Sequence, residues 1–400
     1  MSGFRTRGQP AAQAAVERWI ASDRPPHALL LVGPSGVGKI TLALDLAAGL
    51  LCTAPTPAER PCRACPACRK VDHGNHPDLH RLAPDGAGGQ VRLGQVQELQ
   101  AELALLPMEG RYRVAIVEAA HRLNPDAQNA LLKTLEEPPA LVVIVLAADD
   151  GSLLLPTVHS RCARLRLLPL GPSAMAGLLA ERGLADAPRA ALLGRLSGGR
   201  AGLALSLAVD DDAQRAHGRL VRSLIDLLAA EPRTRLAAVP GLLSDAAQLA
   251  AATDQAGGTA ATNDAPPDSS PAPRPQASRR APERGSPAPA RSRPPAPAER
   301  RRALLQLLDT WRDLGRDLAV ASRGGRTGLR QVELLEELGS AGERLDPAAL
   351  DAFLARVDSL AGAVEAYANP ELALDVLLLQ WPRLADLALD QPGSPRQDAA

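Results

Sequence analysis

The sequence predicts an α/β domain built on a parallel sheet with helices on both faces, followed by a small helical segment and an all-α C-terminal region. Three observations lead there. Short apolar strands alternate with helices from about Arg5 to Leu168. A Gly-rich turn joins the first of those strands to an apolar helix. Strand signals then vanish, and every periodic segment from about Gln214 onward is helical.

The first strand is His27 to Val32. It runs into Gly33-Pro34-Ser35-Gly36-Val37-Gly38-Lys39, and a helix covers Lys39 to Leu51. Arg113 to Val117 is a second buried strand, and Leu141 to Ala147, rich in Val and Ile, is a third. Between these two a helix is clearly punctuated, with Asn124 as N-cap, Pro125 at the first helical position and Glu136-Glu137-Pro138-Pro139 as the stop. Strands separated by helices imply a parallel sheet covered on both faces.

From about Pro169 to Val209 two or three short helices fit, ending in Ser197-Gly198-Gly199-Arg200-Ala201-Gly202. Further on, Leu304, Leu307, Leu308, Trp311, Gly315 and Leu318 form a one-sided stripe, the mark of a helical bundle core. The domains expected are residues 1–168, with a metal module at 52–68; 169–212; and 213–251 with 302–390. Residues 252–301, dominated by Pro, Ala, Ser, Gly and Arg, read as a disordered insertion that cannot bury enough apolar surface to order itself. Nine Arg lie between 271 and 302 against Glu283 and Glu299. Lacking aromatics for base stacking, this stretch reads as a solvated linker before a nucleic-acid contact.

Four hundred residues allow two or three domains, and a formal net charge of zero does not announce a nucleic-acid binder. No run of 18 apolar residues and no apolar N-terminal signal core is present, so a cytoplasmic protein is expected. Lys occurs only at 39, 70 and 133, and Arg supplies the other cations. A lysine kept against that bias at position 39 fits a phosphate-binding loop. There, the loop Gly33, Pro34, Ser35, Gly36, Val37 and Gly38 turns its backbone N–H groups, which every one of these residues but Pro34 has, toward phosphate oxygens, the helix adds its positive end, and Lys39 reaches the β and γ phosphates. The hydroxyl that holds magnesium belongs directly after the lysine. Ile40 has none, and the hydroxyl of Thr41 sits about 100° further round the helix.

The hydrolytic groups are altered as well. A working site ends its second strand in Asp-Glu, for the magnesium shell and the attacking water. Here those places hold Glu118 and Ala119, and His121 reads as a surface or capping residue. The third strand ends Leu146-Ala147-Ala148-Asp149, so a polar γ-phosphate sensor near Ala148 is missing. Little or no hydrolysis is expected from this chain alone, while nucleotide binding stays open.

Cys52, Cys62, Cys65 and Cys68 have the spacing C-x9-C-x2-C-x2-C. Two-residue gaps let sulfurs bend around one ion, and four thiolates with no open position mean a structural zinc rather than disulfides in a reducing compartment. His73, His76 and His80 follow closely but are not needed. Cys162 reads as a small buried hydrophobe.

The run Asn129-Ala130-Leu131-Leu132-Lys133-Thr134-Leu135-Glu136-Glu137-Pro138-Pro139, the later Ser160-Arg161-Cys162 and Asn369-Pro370-Glu371-Leu372-Ala373-Leu374 resemble the bacterial DNA polymerase III clamp-loader subunits. These are AAA+ proteins with a helical lid and a C-terminal helical collar, and the likeness covers nearly the whole chain except the Pro-rich insertion. It implies a zinc module at the four cysteines. It also implies that Arg161, which on spacing alone reads as a surface ion-pair residue, is donated in trans to the ATP site of a neighbour. Motor subunits of the gamma/tau type carry a lid arginine where Gly202 aligns. Glu118, Ala119, Ala148 and Gly202 therefore favour the hydrolysis-deficient delta prime type, a stator in clamp loading. The partners so implied are gamma/tau and delta subunits and, indirectly, the sliding clamp and primed DNA, with no membrane. The alternatives are an ATP-hydrolysing motor subunit and a DNA-binding scaffold acting through the Arg-rich insertion.

Overall fold

The computed structural model describes residues 3–84, 89–262, 297–365 and 370–384. Its first half alternates α1 (Pro10–Ser22), β1 (Ala28–Val32), α2 (Lys39–Leu51), α3 (Pro66–Asp72), β2 (Leu79–Leu82), α4 (Leu93–Leu103), β3 (Arg113–Val117), α5 (Pro125–Glu136), β4 (Val142–Ala148), α6 (Pro156–His159) and β5 (Ala163–Arg166). The five strands form one parallel sheet in the order β2-β3-β4-β1-β5.

Strand periodicity splits the apolar residues between two layers. Leu29, Leu31, Val114, Ile116, Val143 and Val145 point to the layer that receives Val16, Ile20, Leu42 and Leu46 from α1 and α2. Ala28, Leu30, Ala115, Val117, Ile144 and Leu146 point to the opposite layer, which receives Val96, Leu99, Leu131 and Leu135 from α4 and α5. The helix expected after Asn124 is as punctuated: the Asn124 side chain accepts from the Ala127 N–H at 2.8 Å, and Pro125 opens α5.

Two strands escaped the sequence reading. The edge strand β2 (LHRL) carries His80 and Arg81 side by side and the edge strand β5 (ARLR) carries Arg at alternate positions, so neither shows an apolar run. The third expected strand starts one residue later than anticipated. Leu141 is left-handed (φ 65°) and uses its carbonyl to accept the Arg113 N–H at 2.8 Å.

Between α4 and β3 the chain forms a rigid apolar tip. Leu105, Leu106 and Met108 are 62, 79 and 74 % exposed. Beneath them the buried Asp78 carboxylate accepts the N–H groups of Met108, Glu109 and Gly110 at 2.6–2.8 Å. Burial works against the charge of Asp78, but these three bonds outweigh it and hold the carboxyl below its usual range. The buried Arg113 donates to the Leu106 carbonyl at 3.2 Å.

The remainder is helical: α7 (Pro172–Glu181), α8 (Ala187–Leu196), α9 (Ala201–Val209), α10 (Asp211–Asp226), α11 (Pro232–Ala237), α12 (Val239–Thr262), α13 (Pro297–Ala321), α14 (Leu335–Gly342), α15 (Pro347–Glu365) and α16 (Pro370–Gln380). One continuous apolar core runs from Leu170 to Trp381. The stripe Leu304, Leu307, Leu308, Trp311 and Leu318 lies fully inside it. Trp311, Phe353 and Trp381 form a triangle of rings with centroids 4.7–5.4 Å apart. Arg235, 1 % exposed, donates to the carbonyls of Ala230, Leu228, Leu378, Pro382 and Trp381, tying α11 to the end of α16.

Both ends of the expected insertion at 252–301 are helical. Helix α12 continues to Thr262 and α13 already begins at Pro297. The segment 253–262 holds no Pro to stop the helix, and Pro297 takes the first helical position, where its missing N–H has no intrahelical partner to lose. Residues 263–296, with most of the Arg run, lie outside the described residues, as does Asn369.

Candidate functional site

The strand β1, between β4 and β5, delivers the loop 33–39 to the C-terminal edge of the sheet. The Gly33 N–H donates to the Ala148 carbonyl at 3.2 Å, which pins the loop to the end of β4. Gly36 (φ 76°) and Gly38 (φ 100°) take left-handed conformations that other residues adopt only at a cost, and α2 starts immediately after. This is the backbone course of a phosphate cradle at a helix N-terminus.

Lys39 lies in the cradle, 6 % exposed, and its ammonium is fully engaged within the chain. Nζ donates to the carbonyls of Gly33 at 2.6 Å and Pro34 at 2.8 Å and pairs with Asp149 Oδ1 at 2.6 Å. Burial works against the charge of Asp149, but Lys39 above all holds its carboxyl below the ordinary value.

His121 is not the surface residue expected from sequence. It is 8 % exposed, and its Nδ1 accepts the Asp149 N–H at 3.2 Å. The short 3₁₀ turn Ala120–Arg122 folds it under the end of β4. Burial pushes its pKa down, which keeps the ring neutral and able to accept.

The other positions that would perform hydrolysis are occupied differently. Ile40 packs against the α1/α2 layer of the core, and Thr41 is half-buried on the first turn of α2. Glu118 is held by Arg81, whose Nε lies at 2.7 Å, so its carboxylate is already neutralised. Ala119 and Ala148 bring no polar group. The lid-side contact is made by Gly202, whose N–H donates to the Gly36 carbonyl at 2.9 Å. A Cβ on Gly202 would stand 3.3 Å from Gly36 Cα, so backbone meets backbone here. Two residues earlier, Arg200 points away to Asp313 at 2.6 Å and Asp309 at 3.2 Å on α13.

Arg161 follows α6 and lies at the surface, 32 % exposed. Its guanidinium donates to the Thr157 carbonyl at 2.9 Å and pairs with Glu136 on α5 at 2.7 Å. The neighbouring Cys162 is half-buried against the α4/α5 layer, and burial pushes its thiol up to about 11.

The four cysteines converge. The Sγ atoms of Cys52, Cys62, Cys65 and Cys68 all lie within 4.8 Å of one another, and Cys52 and Cys65 are 3.9 Å apart. A tetrahedron with metal–sulfur arms of about 2.3 Å has edges near 3.8 Å, so this group can hold a metal ion. The backbone N–H groups of Ala54, Cys65 and Cys68 each donate to a cysteine sulfur at 3.4 Å. Burial raises the Cys52 and Cys68 thiols, while for Cys65 contacts with Thr53 and Cys68 overcome burial and bring it to about 6. No histidine joins the group among the described residues: His76 Nδ1 accepts the Asp78 N–H, and His80 pairs with Glu102 at 2.7 Å.

The cysteine loop is fastened to α2 by an ion cluster that sequence reading missed. Arg63, left-handed at φ 57°, pairs with Asp72 at 2.5 Å and with Asp45, which is fully buried in α2. Asp45 also accepts from the Arg5 N–H, the Thr6 N–H and the Thr6 hydroxyl at 2.6–3.0 Å. A lone Asp inside the apolar run ITLALDLAAGLL was the available signal.

Residues 8–171 match the family model described as "DNA polymerase III, delta subunit". The match covers less than half of the chain. The chain is 41 % identical over 197 residues to the DNA polymerase III subunit delta' of Pseudomonas aeruginosa, covering 49 % of this chain and 57 % of that protein. It is 36 % identical over 174 residues to the delta' subunit of Bacillus subtilis, covering 44 % and 52 %. The tau subunit of Salmonella typhimurium is 35 % identical over 205 residues, covering 50 % of this chain and 31 % of that one. The chain thus spans about half the length of the curated delta' relatives it matches. No helix among the described residues is long and apolar enough to cross a membrane.

Proposed function

We propose that this chain is the delta prime-type subunit of a bacterial DNA polymerase III clamp loader. It acts in the cytoplasm as a stator with little or no hydrolysis of its own, helping gamma/tau and delta subunits place the sliding clamp on primed DNA. The observation that carries this reading is the state of the nucleotide-like site. The cradle is kept, yet Lys39 is spent on Asp149 and loop carbonyls, Glu118 is spent on Arg81, and Ala119 has no carboxylate. Positioning and charge stabilisation must coincide for phosphoryl transfer, and both fail here. The same positions weigh against the motor-subunit reading.

In this reading the four cysteines hold a structural zinc. The residues present fit it, with four convergent sulfurs and three N–H···S bonds that support thiolate charge. Arg161 is the residue offered to the neighbour's ATP site. It is partly exposed, and beyond local bonds to Thr157 and Ser160 it is held by Glu136, an exposed pair that binding of a triphosphate can displace.

The test is reconstitution with gamma/tau and delta subunits. The complex containing Arg161→Ala should assemble normally and lose DNA-stimulated ATP turnover by about 10³-fold or more at the neighbouring site. Unchanged turnover would remove the finger role. Robust magnesium-dependent turnover by the isolated chain would remove the stator reading.

A further inference from the structure

We infer that Asp149 sets the affinity of the 33–39 cradle for a nucleoside polyphosphate, by holding Lys39 in the place a phosphate oxygen would take. The inference rests on reading that loop as a phosphate cradle, and the experiment below separates the two.

A lysine ammonium has three N–H donors and no acceptor. In this chain all three have partners at 2.6–2.8 Å: the carbonyls of Gly33 and Pro34 and the carboxylate of Asp149. The two carbonyls belong to the cradle itself and stay close to Lys39 whatever occupies it. Asp149 is the anionic partner, and so the one that an incoming phosphate must replace.

Asp149 cannot simply drift away. It directly follows β4, and the carbonyl of the preceding Ala148 accepts the Gly33 N–H, so the backbone at Asp149 is tied to the loop it closes. Its own N–H is tied to the buried His121 ring. What remains free is side-chain rotation, and Asp149 is one-third exposed, so it has room to turn toward solvent. A rotated carboxylate would still lie beside the cradle and oppose a polyphosphate of three or more negative charges. The charges that face Asp149 are Lys39 and Arg122, with the neutral His121 ring beside its backbone, and Lys39 is the one its carboxylate touches.

Nucleotide entry therefore competes with an internal anion, and the competition is set by one side chain. Asp149→Asn keeps size and shape while removing the charge. Asp149→Ser removes both and guards against an amide that re-forms the Lys39 contact.

The experiment measures binding of ATP, ADP and inorganic triphosphate to the full chain by isothermal titration calorimetry, with and without magnesium. Thermal melting of each variant verifies folding. Asp149→Asn and Asp149→Ser should bind ATP and triphosphate about 10- to 100-fold more tightly than the parent. Adding Lys39→Ala to either variant should abolish the gain.

Equal affinity in parent and variants, lost on Lys39→Ala, would leave the cradle standing and overturn the role of Asp149. A gain that survives Lys39→Ala would overturn it too. Failure of parent and both variants to bind at millimolar ligand would sink the cradle reading and this inference together, without touching the subunit assignment.

Discussion

Replacing Cys68 with serine tests the metal site through a loss that the structure allows to be sized. Cys68 is fully buried, and its sulfur belongs to a group of four within 4.8 Å. A hydroxyl in its place has a shorter reach and a poor affinity for zinc, so three ligands remain. Structural zinc in small cysteine-rich peptides is worth about 10–16 kcal/mol of apparent binding energy. Only part of that appears as lost stability here, because the loop also packs on α2. The part that can be read from the structure is the fate of Asp45. Its cationic partner, Arg63, sits in the turn between Cys62 and Cys65. If the loop loosens, a fully buried carboxylate keeps its hydrogen bonds to Arg5 and Thr6 and loses its counter-charge. Breaking a buried pair from one side costs about 3–5 kcal/mol. At about 2–4 °C per kcal/mol for a unit of this size, the melting temperature should fall by about 6–20 °C. Differential scanning calorimetry gives the shift, and elemental analysis of the same sample gives the metal. Arg63→Met is the companion variant: it should retain the metal and show the Asp45 part alone. A parent chain that purifies without stoichiometric metal, together with a Cys68→Ser variant melting within about 1 °C of it, would refute the reasoning.

Other outcomes follow from single residues. Arg161→Ala should change the stability of the isolated chain by less than about 0.5 kcal/mol in urea unfolding, since Glu136 is half exposed, so its effect in the assembly reads function and not folding. Arg235→Met keeps the apolar stem but leaves buried carbonyls at Leu378, Pro382 and Trp381 without their donor, and should cost about 3–5 kcal/mol in the same assay. His217 is buried and its pKa is pushed down to about 4 by desolvation, with Arg200 adding to the effect. Between pH 6.5 and 4 the unfolded chain binds the proton and the native one does not, so stability should fall with falling pH. The loss is about 3 kcal/mol across that window and is absent in His217→Leu.

The chemistry-bearing positions were legible in sequence because their signals are local. The loop 33–39 needs a strand before it and a helix after it, and both are visible within 25 residues. The four cysteines lie within 17 residues, so their convergence needs only short turns. What sequence could not supply were pairings between distant segments. Asp149 meets Lys39 and Arg81 meets Glu118 only once the parallel sheet has brought its strands together, and Arg63 meets Asp45 only once the cysteine loop has folded back on α2. His121 looked exposed because a polar residue after a strand usually is, and only the 3₁₀ turn that buries it says otherwise. The strands β2 and β5 were hidden by their Arg and His residues, which flank the sheet at its two edges.

The latch at Asp78 has a consequence for association. One carboxylate fixes three successive amides below Leu105, Leu106 and Met108, so this greasy prow keeps its shape while still in water. A surface that closes over it need not freeze a floppy loop first, and the entropy that docking would otherwise forfeit has been surrendered during folding.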